Sequence, residues 1–390
     1  MADLYYYKNS STNVATLANT QVNSDYKSWF SGAPNFQYYA ITTYQDLVIE
    51  LPSNCKYLFC NVTFVDPTKF DTSNVTDMSY MFEGYAGLPL DLSSWDTSNV
   101  TSMGSIFDSY GATSVNISNW DTSNVTDMSS AFAHSSITSF DLSNWDTSKV
   151  TNMYHMFAGC AAPVLDLSSW DVYNVTDMSY MFWNYGALTS LNVSNWDTSS
   201  VTKTEYMFSQ CENLTSLDVS HFDVSNVTSL FRMFNECKAL TLLNVSGWNT
   251  SNVTNFNDVF NSCTKVTELD LTSWDVSNGT AFGLMFAYCY QLSHIYAKPN
   301  TNWKSQSSAT GSFYDMFSHC SHLPNYNSSY EGISRANNTT STGYFSVMTQ
   351  EKYKLYEKYS GSWKSGNIYI KDSSSWVPLS IFVKNNNSWD

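Results

Sequence analysis

Residues 90–107 read LDLSSWDTSNVTSMGSIF and residues 165–182 read LDLSSWDVYNVTDMSYMF, one phrase written twice with small changes. Its opening Leu-Asp-Leu alternates apolar, polar, apolar, which is the pattern of a short strand with one buried face. An aromatic residue follows three positions on, at Trp95 and Trp170. The Asp-Thr-Ser or Asp-Val-Ser that comes next in most copies is turn chemistry, because an Asp side chain accepts the backbone N–H two residues on. Val-Thr-x-Met then reads as extended, and the segment through the Met-Phe pair, Ser79–Tyr85 in an equivalent copy, predicts a short helical turn.

Working outward, the phrase recurs from Phe70 to Trp274. Its aromatic marker falls at Phe70, Trp95, Trp120, Trp145, Trp170, Trp196, Phe222, Trp248 and Trp274, in steps of 25 and then 26 residues. A second marker keeps pace from Phe82 through Phe107, Phe132, Phe157, Phe182, Phe208, Phe234 and Phe260 to Phe286, and the extra residue of the later copies lies after this Phe, in a variable loop. Copies such as Leu214, Leu217, Val219 and Leu240, Leu243, Val245 widen to the LxxLxL spacing of a leucine-rich repeat. About 25 residues hold too little apolar surface to fold alone, so the copies must stack and lend one another an interior. The fold class expected is α/β, a solenoid with a parallel sheet face, short helical turns and ladders of Trp, Phe, Val and Thr.

The chain has 390 residues, of which 43% are hydrophobic, 16% aromatic and 13% charged, with a formal net charge of −16. That charge repels nucleic-acid backbones and anionic lipid alike. No apolar run approaches the ~18 residues that cross a bilayer as a helix. The start, MADLYYYKNSSTNVATL, has no basic segment followed by an apolar one and so does not read as a signal peptide. Residues 1–57 lack the repeat and are expected to cap the solenoid or attach it to a partner, and residues 58–345 form the array. Residues 346–390 form a small β-rich module, in which LYEKYSGSW, IYIKDSSSW and IFVKNNNSW recur every 13 residues.

Two polar columns accompany the ladders. Asp71, Asp96, Asp121, Asp146, Asp171, Asp197, Asp223 and Asp275 follow the aromatic marker and are expected to cap turns, with calcium as the alternative. Asp91, Asn116, Asp141, Asp166, Asn192, Asp218, Asn244 and Asp270 stand between buried strand positions and so point outward. They are the candidate ligand-binding residues, able to hydrogen-bond sugar hydroxyls or receive a basic partner, with a solvated strand face as the plain alternative. Cys160, Cys211, Cys237, Cys263, Cys289 and Cys320 sit where other copies carry Tyr85, Tyr110 and Tyr185, which argues for packing of reduced thiols. Cys55 and Cys60 pair only if the N-terminal segment brings them together. His319, Cys320 and His322 are too few for a metal site. Asn74, Asn99, Asn124, Asn174, Asn213 and Asn226 begin sequons that recur because the turn recurs. No nucleophile, base and orienting acid are placed together, so the expectation is no enzyme, no catalytic residue, no metal and no cofactor.

These repeats resemble those of the BspA-like leucine-rich-repeat surface proteins of bacteria, mycoplasmas and some phages, whose unit is similar to LDLSxWDTSNVTDMSxMFxGC. The likeness spans about residues 58–345 and includes the ending DMFSHCSHLPNY at 315–326 and ANNTTSTGYF at 336–345. It implies a right-handed solenoid with the sheet on its concave face and an adhesive role. The terminal 13-residue repeats resemble those of phage tail and other virion proteins. Together they lead us to expect a non-catalytic display protein, a tail or head fibre of a phage virion, binding a bacterial envelope protein or glycan. The alternative is an extracellular or cell-surface adhesin for host protein or matrix. The partners expected are a protein or glycan receptor on a cell surface, other virion proteins through the terminal segments and further copies of the chain, with no nucleic acid and no membrane insertion.

Overall fold

Up to three side chains per coil turn the chain back on itself. In the coil that begins at Leu165, Asp166 accepts the Ser168 N–H (3.1 Å), Asp171 that of Tyr173 (3.0 Å) and Asp177 that of Ser179 (3.0 Å). Each is an Asx turn, a corner made by a local side chain rather than by distant packing. The three sides between the corners meet their counterparts in neighbouring coils. This computed structural model describes residues 50–63, 65–298, 315–324 and 326 in full, and the backbone of short strands outside them.

The first side is the strand side. Strands β5 (Leu90–Asp91) and β6 (Val115–Asn116) pair in parallel, as do β7 (Val164–Asp166) with β8 (Ser190–Asn192) and β9 (Ser216–Asp218) with β10 (Leu242–Asn244). β11 (Glu268–Leu271) pairs in the same sense with β12 (His294–Ala297), and β12 with β13 (Phe345–Ser346). Leu90, Leu165, Leu217, Leu243 and Leu269 face inward and are buried, as the alternation requires. The second side carries the Thr ladder, in which both the amide and the hydroxyl of Thr126 donate to the Thr101 carbonyl and those of Thr151 to Thr126. Single parallel bridges join Asn54 to Asp77 and run on to Lys203, then from Ser229 to Ala281. The ladder therefore already runs through Asn54, before residue 58.

The third side corrects an expectation, because the helical turns do not form. Among the described residues the one helix is a single 3-10 turn, Pro67–Lys69, and the class is a parallel β-solenoid rather than α/β. From Met78 to Tyr85 the amides alternate in destination. Met78, Tyr80, Phe82 and Gly84 donate to Ser102, Gly104, Ile106 and Asp108 of the next coil (2.8–3.0 Å), while Met81, Glu83 and Tyr85 donate three residues back within their own coil. An α-helix would send every amide to its own segment. Alternation demands a left-handed residue every fourth position, and φ is +59° at Tyr80, +64° at Gly84, +60° at His155 and +58° at Tyr206. A non-glycine residue there costs roughly 1–2 kcal/mol. The inter-coil bonds, at about 0.5–1.5 kcal/mol each, and burial of Met78, Met81, Phe82 and Tyr85 offset it.

Inside run the expected ladders. Phenylalanine rings stack from Phe82 to Phe317 with centroids 5.4–5.9 Å apart. Beside them lie the tryptophans, which with the exception of Trp145 donate Nε1–H to a carbonyl of the preceding coil, as Trp170 does to Leu142 and Trp196 to Leu167. Where Phe222 replaces Trp, the neighbouring His221 Nε2 lies 2.9 Å from Val193 O and fills that role. Thr72, Thr97, Thr122 and Thr147 are buried, and each donates its hydroxyl to the carbonyl of the Asp that precedes the equivalent residue of the next coil (2.8–3.0 Å). Val172 and Val224 fill the same place without the hydroxyl.

One coil is irregular. Phe140 stands where its neighbours carry Leu or Val, wedged edge-on against Phe132 and Phe157, and no strand forms around it. Trp145 Nε1, buried in that coil, has no acceptor.

At the N-terminal end β1 (Tyr6–Lys8) lies antiparallel to β2 (Val14–Leu17), which joins β3 (Val48–Glu50) and β4 (Phe70–Asp71) in parallel, so this segment extends the first coil's ladder. Two hairpins, β14 (Ile368–Asp372) with β15 (Ser375–Leu379) and β16 (Lys384–Asn385) with β17 (Ser388–Trp389), fall in the last two 13-residue repeats. The first of those repeats, 355–363, lies outside the described residues.

Candidate functional site

The outward column occupies the strand side. Asp91, Asn116, Asp141, Asp166, Asn192, Asp218 and Asn244 are exposed, and Asp270 is half-buried. Every one of them is also a corner residue, accepting the amide two positions on, at Ser93, Ser118, Ser143, Ser168, Ser194, Ser220, Ser246 and Thr272 (3.0–3.4 Å). The Ser93 and Ser168 hydroxyls and amides hold Asp91 and Asp166 below the usual carboxylate range, with Asn116 and Asn192 of the next coil adding to the effect. Two of the Asp–Asn steps in the column are thus hydrogen-bonded. In each group Oδ1 is spent on the turn.

The column after the aromatic marker caps turns as expected: Asp96 takes the Ser98 amide at 3.0 Å, Asp146 that of Ser148 at 2.9 Å and Asp223 that of Ser225 at 2.8 Å. Among the described residues no group of three or more His, Cys, Asp or Glu side chains converges as metal ligands. Cys320 turns inward to donate to the Phe286 carbonyl, whereas the His319 ring lies flat on Tyr288 and His322 is exposed. The six column thiols are buried, each donating to a Phe carbonyl of the coil before, as Cys211 does to Phe182 and Cys263 to Phe234. Burial pushes Cys160 up to about 12, so the thiolate is suppressed. Cys55 and Cys60 are not joined to each other; their thiols donate to Pro52 O and Glu83 Oε2. The sequon asparagines Asn99, Asn124, Asn174 and Asn226 donate to a Ser carbonyl of the coil before (2.7–2.8 Å).

The third side holds the groups that were not singled out from sequence. Its first left-handed position carries Tyr80, Ser105, Ser130, His155, Tyr180, Tyr206, Arg232, Asp258 and Leu284 in successive coils, and its second carries Gly84, Ser109, His134, Gly159, Asn184, Gln210, Glu236, Ser262 and Tyr288. From His134 onward these make a continuous aromatic and polar surface. His134 and His155 meet edge to face at 5.3 Å, His155 lies 5.7 Å from Trp183, and Trp183 stands at 76° to Tyr180. Tyr180 stacks on Tyr206 at 4.5 Å, and the Arg232 guanidinium covers the other side of Tyr206 while bonding its hydroxyl (3.2 Å) and Asp258 (3.3 Å). Burial, with His134 beside it, lowers His155 to about 4. A groove of about 520 Å³ opens beside Tyr180 and Trp183 and continues past Gln210, Arg232 and Glu236 to Tyr288.

The signal for this surface is present in the sequence, as the positions two residues to either side of a Phe that stays fixed from Phe82 to Phe286.

The repeats match the family model described as "Mycoplasma protein of unknown function, DUF285", over residues 53–164, 109–216, 161–243 and 211–332. The chain belongs to the DUF285 family. The DUF285 repeats are therefore the coils described above. Among solved structures the chain is similar to one entitled "Crystal structure of TLR13-ssRNA13 complex", at 15% identity over 72% of this chain and 54% of that one, with a TM-score of 0.18. The likeness spans about half of that chain's length, and at that score it carries no argument. No curated protein matches the chain. Among the described residues no helix is long and apolar enough to cross a membrane.

Proposed function

We propose that this DUF285 solenoid is a non-catalytic display protein, whose constant coils hold a varying set of side chains for recognition of a cell surface. The observation that carries this reading is the content of the left-handed positions. They favour Gly or Asn, yet they hold Tyr80, His155, Tyr180, Tyr206 and Arg232, bulky residues that pay a backbone penalty in place. Strain kept at a partly exposed position points to use of the side chain, since a glycine would relieve it. The BspA-like character of the repeats supports an adhesive role.

Within that reading the protein is a phage virion fibre component, attached through its terminal segments and presenting the solenoid to a protein or glycan of the bacterial envelope. The 13-residue terminal repeats support this. The second reading, a surface adhesin of the cell itself, is favoured by the family's description as a mycoplasma protein. Immunogold labelling with antiserum to the purified protein separates them. Label on phage particles is the expected result, and label on the cell envelope selects the adhesin. Label confined to the cell interior contradicts both.

A further inference from the structure

We infer that the groove on the third side, from Trp183 to Tyr288, is a binding site for a neutral oligosaccharide; this rests on the display reading. The groove is long and shared. Its lining comes from five successive coils, at Tyr180 and Trp183, at 206–210, at 232–236, at Asn261 and Ser262, and at Tyr288. At ~4.8 Å per coil, that is roughly 20 Å along the axis, a length suited to a chain and not to a single small ring. Its volume, about 520 Å³, is in the range of sites that enclose an organic ligand.

The chemistry of the lining selects among chains. Tyr180 and Trp183 stand nearly perpendicular, at 76° with centroids 6.1 Å apart, and make a rigid apolar corner for the C–H face of a pyranose ring. Past this corner donors and acceptors are interleaved. The Gln210 amide lies 3.5 Å from Glu236 Oε1, and the buried Asn235 amide donates to the Ser209 hydroxyl at 3.2 Å. A sugar hydroxyl both gives and accepts, and such a mixed lining satisfies both capacities. The charges are balanced, because Arg232 is paired with Asp258 and Glu236 with Lys238. A neutral ligand fits this balance, and the net charge of −16 works against polyanions.

A peptide is less well served. A peptide that binds by adding a β-strand needs an open backbone edge, and here that edge is used: Tyr180 donates to Glu205, Gln210 to Asn235, Glu236 to Asn261 and Ser262 to Ala287.

The test uses the full-length protein, an array of neutral and acidic oligosaccharides, and bacterial and animal cells. Retention on neutral oligosaccharides is expected, along with cell binding that is lost after periodate oxidation of the cells and kept after protease treatment. Trp183→Ala and Gln210→Ala should each weaken both by about tenfold or more with Tm unchanged, Trp183→Phe should restore most of the binding, and Tyr173→Ser, at an exposed position outside the groove, should change it by less than about twofold. Cell binding that survives periodate and is abolished by protease overturns the saccharide assignment and leaves the display reading standing. Binding that ignores Trp183→Ala and falls with Asp166→Ala moves the site to the strand side. A wild-type protein that binds neither array nor cells overturns the display reading and this inference together.

Discussion

The interior of the coils and the left-handed column of the third side lie only a residue apart in sequence, yet they obey opposite rules. Inward, Phe82, Val100 and Trp95 recur almost unchanged, and Met81 gives way only to the apolar Ile106, Ala131 and Val259, because each must fit its counterpart in the next coil. Outward, Tyr80, Ser105, Ser130, His155, Tyr180, Tyr206 and Arg232 share a backbone conformation and nothing else. The backbone ladder sets the conformation of both, but only the interior depends on side-chain identity for its stability. A solenoid thus separates the residues that hold it together from those it is free to vary.

The sharpest way to break this contrast is to open the interior. Trp170→Ala removes a buried ring stacked 6.2 Å from Trp145, together with its bond to Leu142, and should lower the free energy of urea unfolding by about 3–5 kcal/mol. Trp145→Ala should cost about 1 kcal/mol less, because the Trp145 Nε1 has no acceptor to lose. Equal losses would mean that the Phe140 coil is as well bonded as its neighbours.

A smaller effect comes from His155, where the outward column dips into the packing. Its pKa of about 4 in the folded chain lies below the ordinary value of about 6.5. Between those values the unfolded chain binds a proton that the folded chain refuses, so stability is whole above about pH 6.5 and falls as the pH drops toward 4. Discounted for a ring still partly in solvent, the loss is about 1–2 kcal/mol. Melting curves of His155→Asn should lack this decline. The carboxylates of Asp96, Asp146 and Asp197, lowered by their Ser98, Ser148 and Ser199 hydroxyls, act in a separate window. Their contribution is present above the ordinary carboxylate pKa and is lost as the pH falls through the lowered folded values.

Smaller again is Tyr185. Its hydroxyl is buried without a partner, whereas that of Tyr85 reaches the Leu88 carbonyl. Tyr185→Phe should therefore raise stability by about 1 kcal/mol and Tyr85→Phe lower it by a similar amount, both read in urea. The same sign for both would contradict the bonding described.

The period, the strand positions, the ladders and the capping role of the Asp column were all legible in the chain, because each depends on residues close together or repeated at one step. The third side was not. Met78, Met81, Phe82 and Tyr85 are spaced as on one face of a helix, and a run of four-residue turns buries the same set. What decides between them is the acceptor of each second amide, which lies about 24 residues away in the next coil. The strand side reads as one sheet face, and among the described residues it consists of short separate ladders of two or three strands, one break falling where Phe140 replaces a smaller residue. The outward Asp and Asn column is exposed at all positions but Asp270, which is half-buried, and its second duty as a corner is legible only once the strand's end is known. The aromatic groove is not visible in any one stretch of sequence, because its members are 23–27 residues apart and come together only by stacking.

The central claim is that the left-handed column is held by the backbone and not by its own side chains. Tyr206→Gly tests it most directly, by urea unfolding beside Trp170→Ala. Removing a half-buried ring and relieving a residue at φ +58° should nearly cancel, leaving stability within about 1 kcal/mol of the wild type. A loss approaching that of Trp170→Ala would contradict the account and make Tyr206 part of the frame.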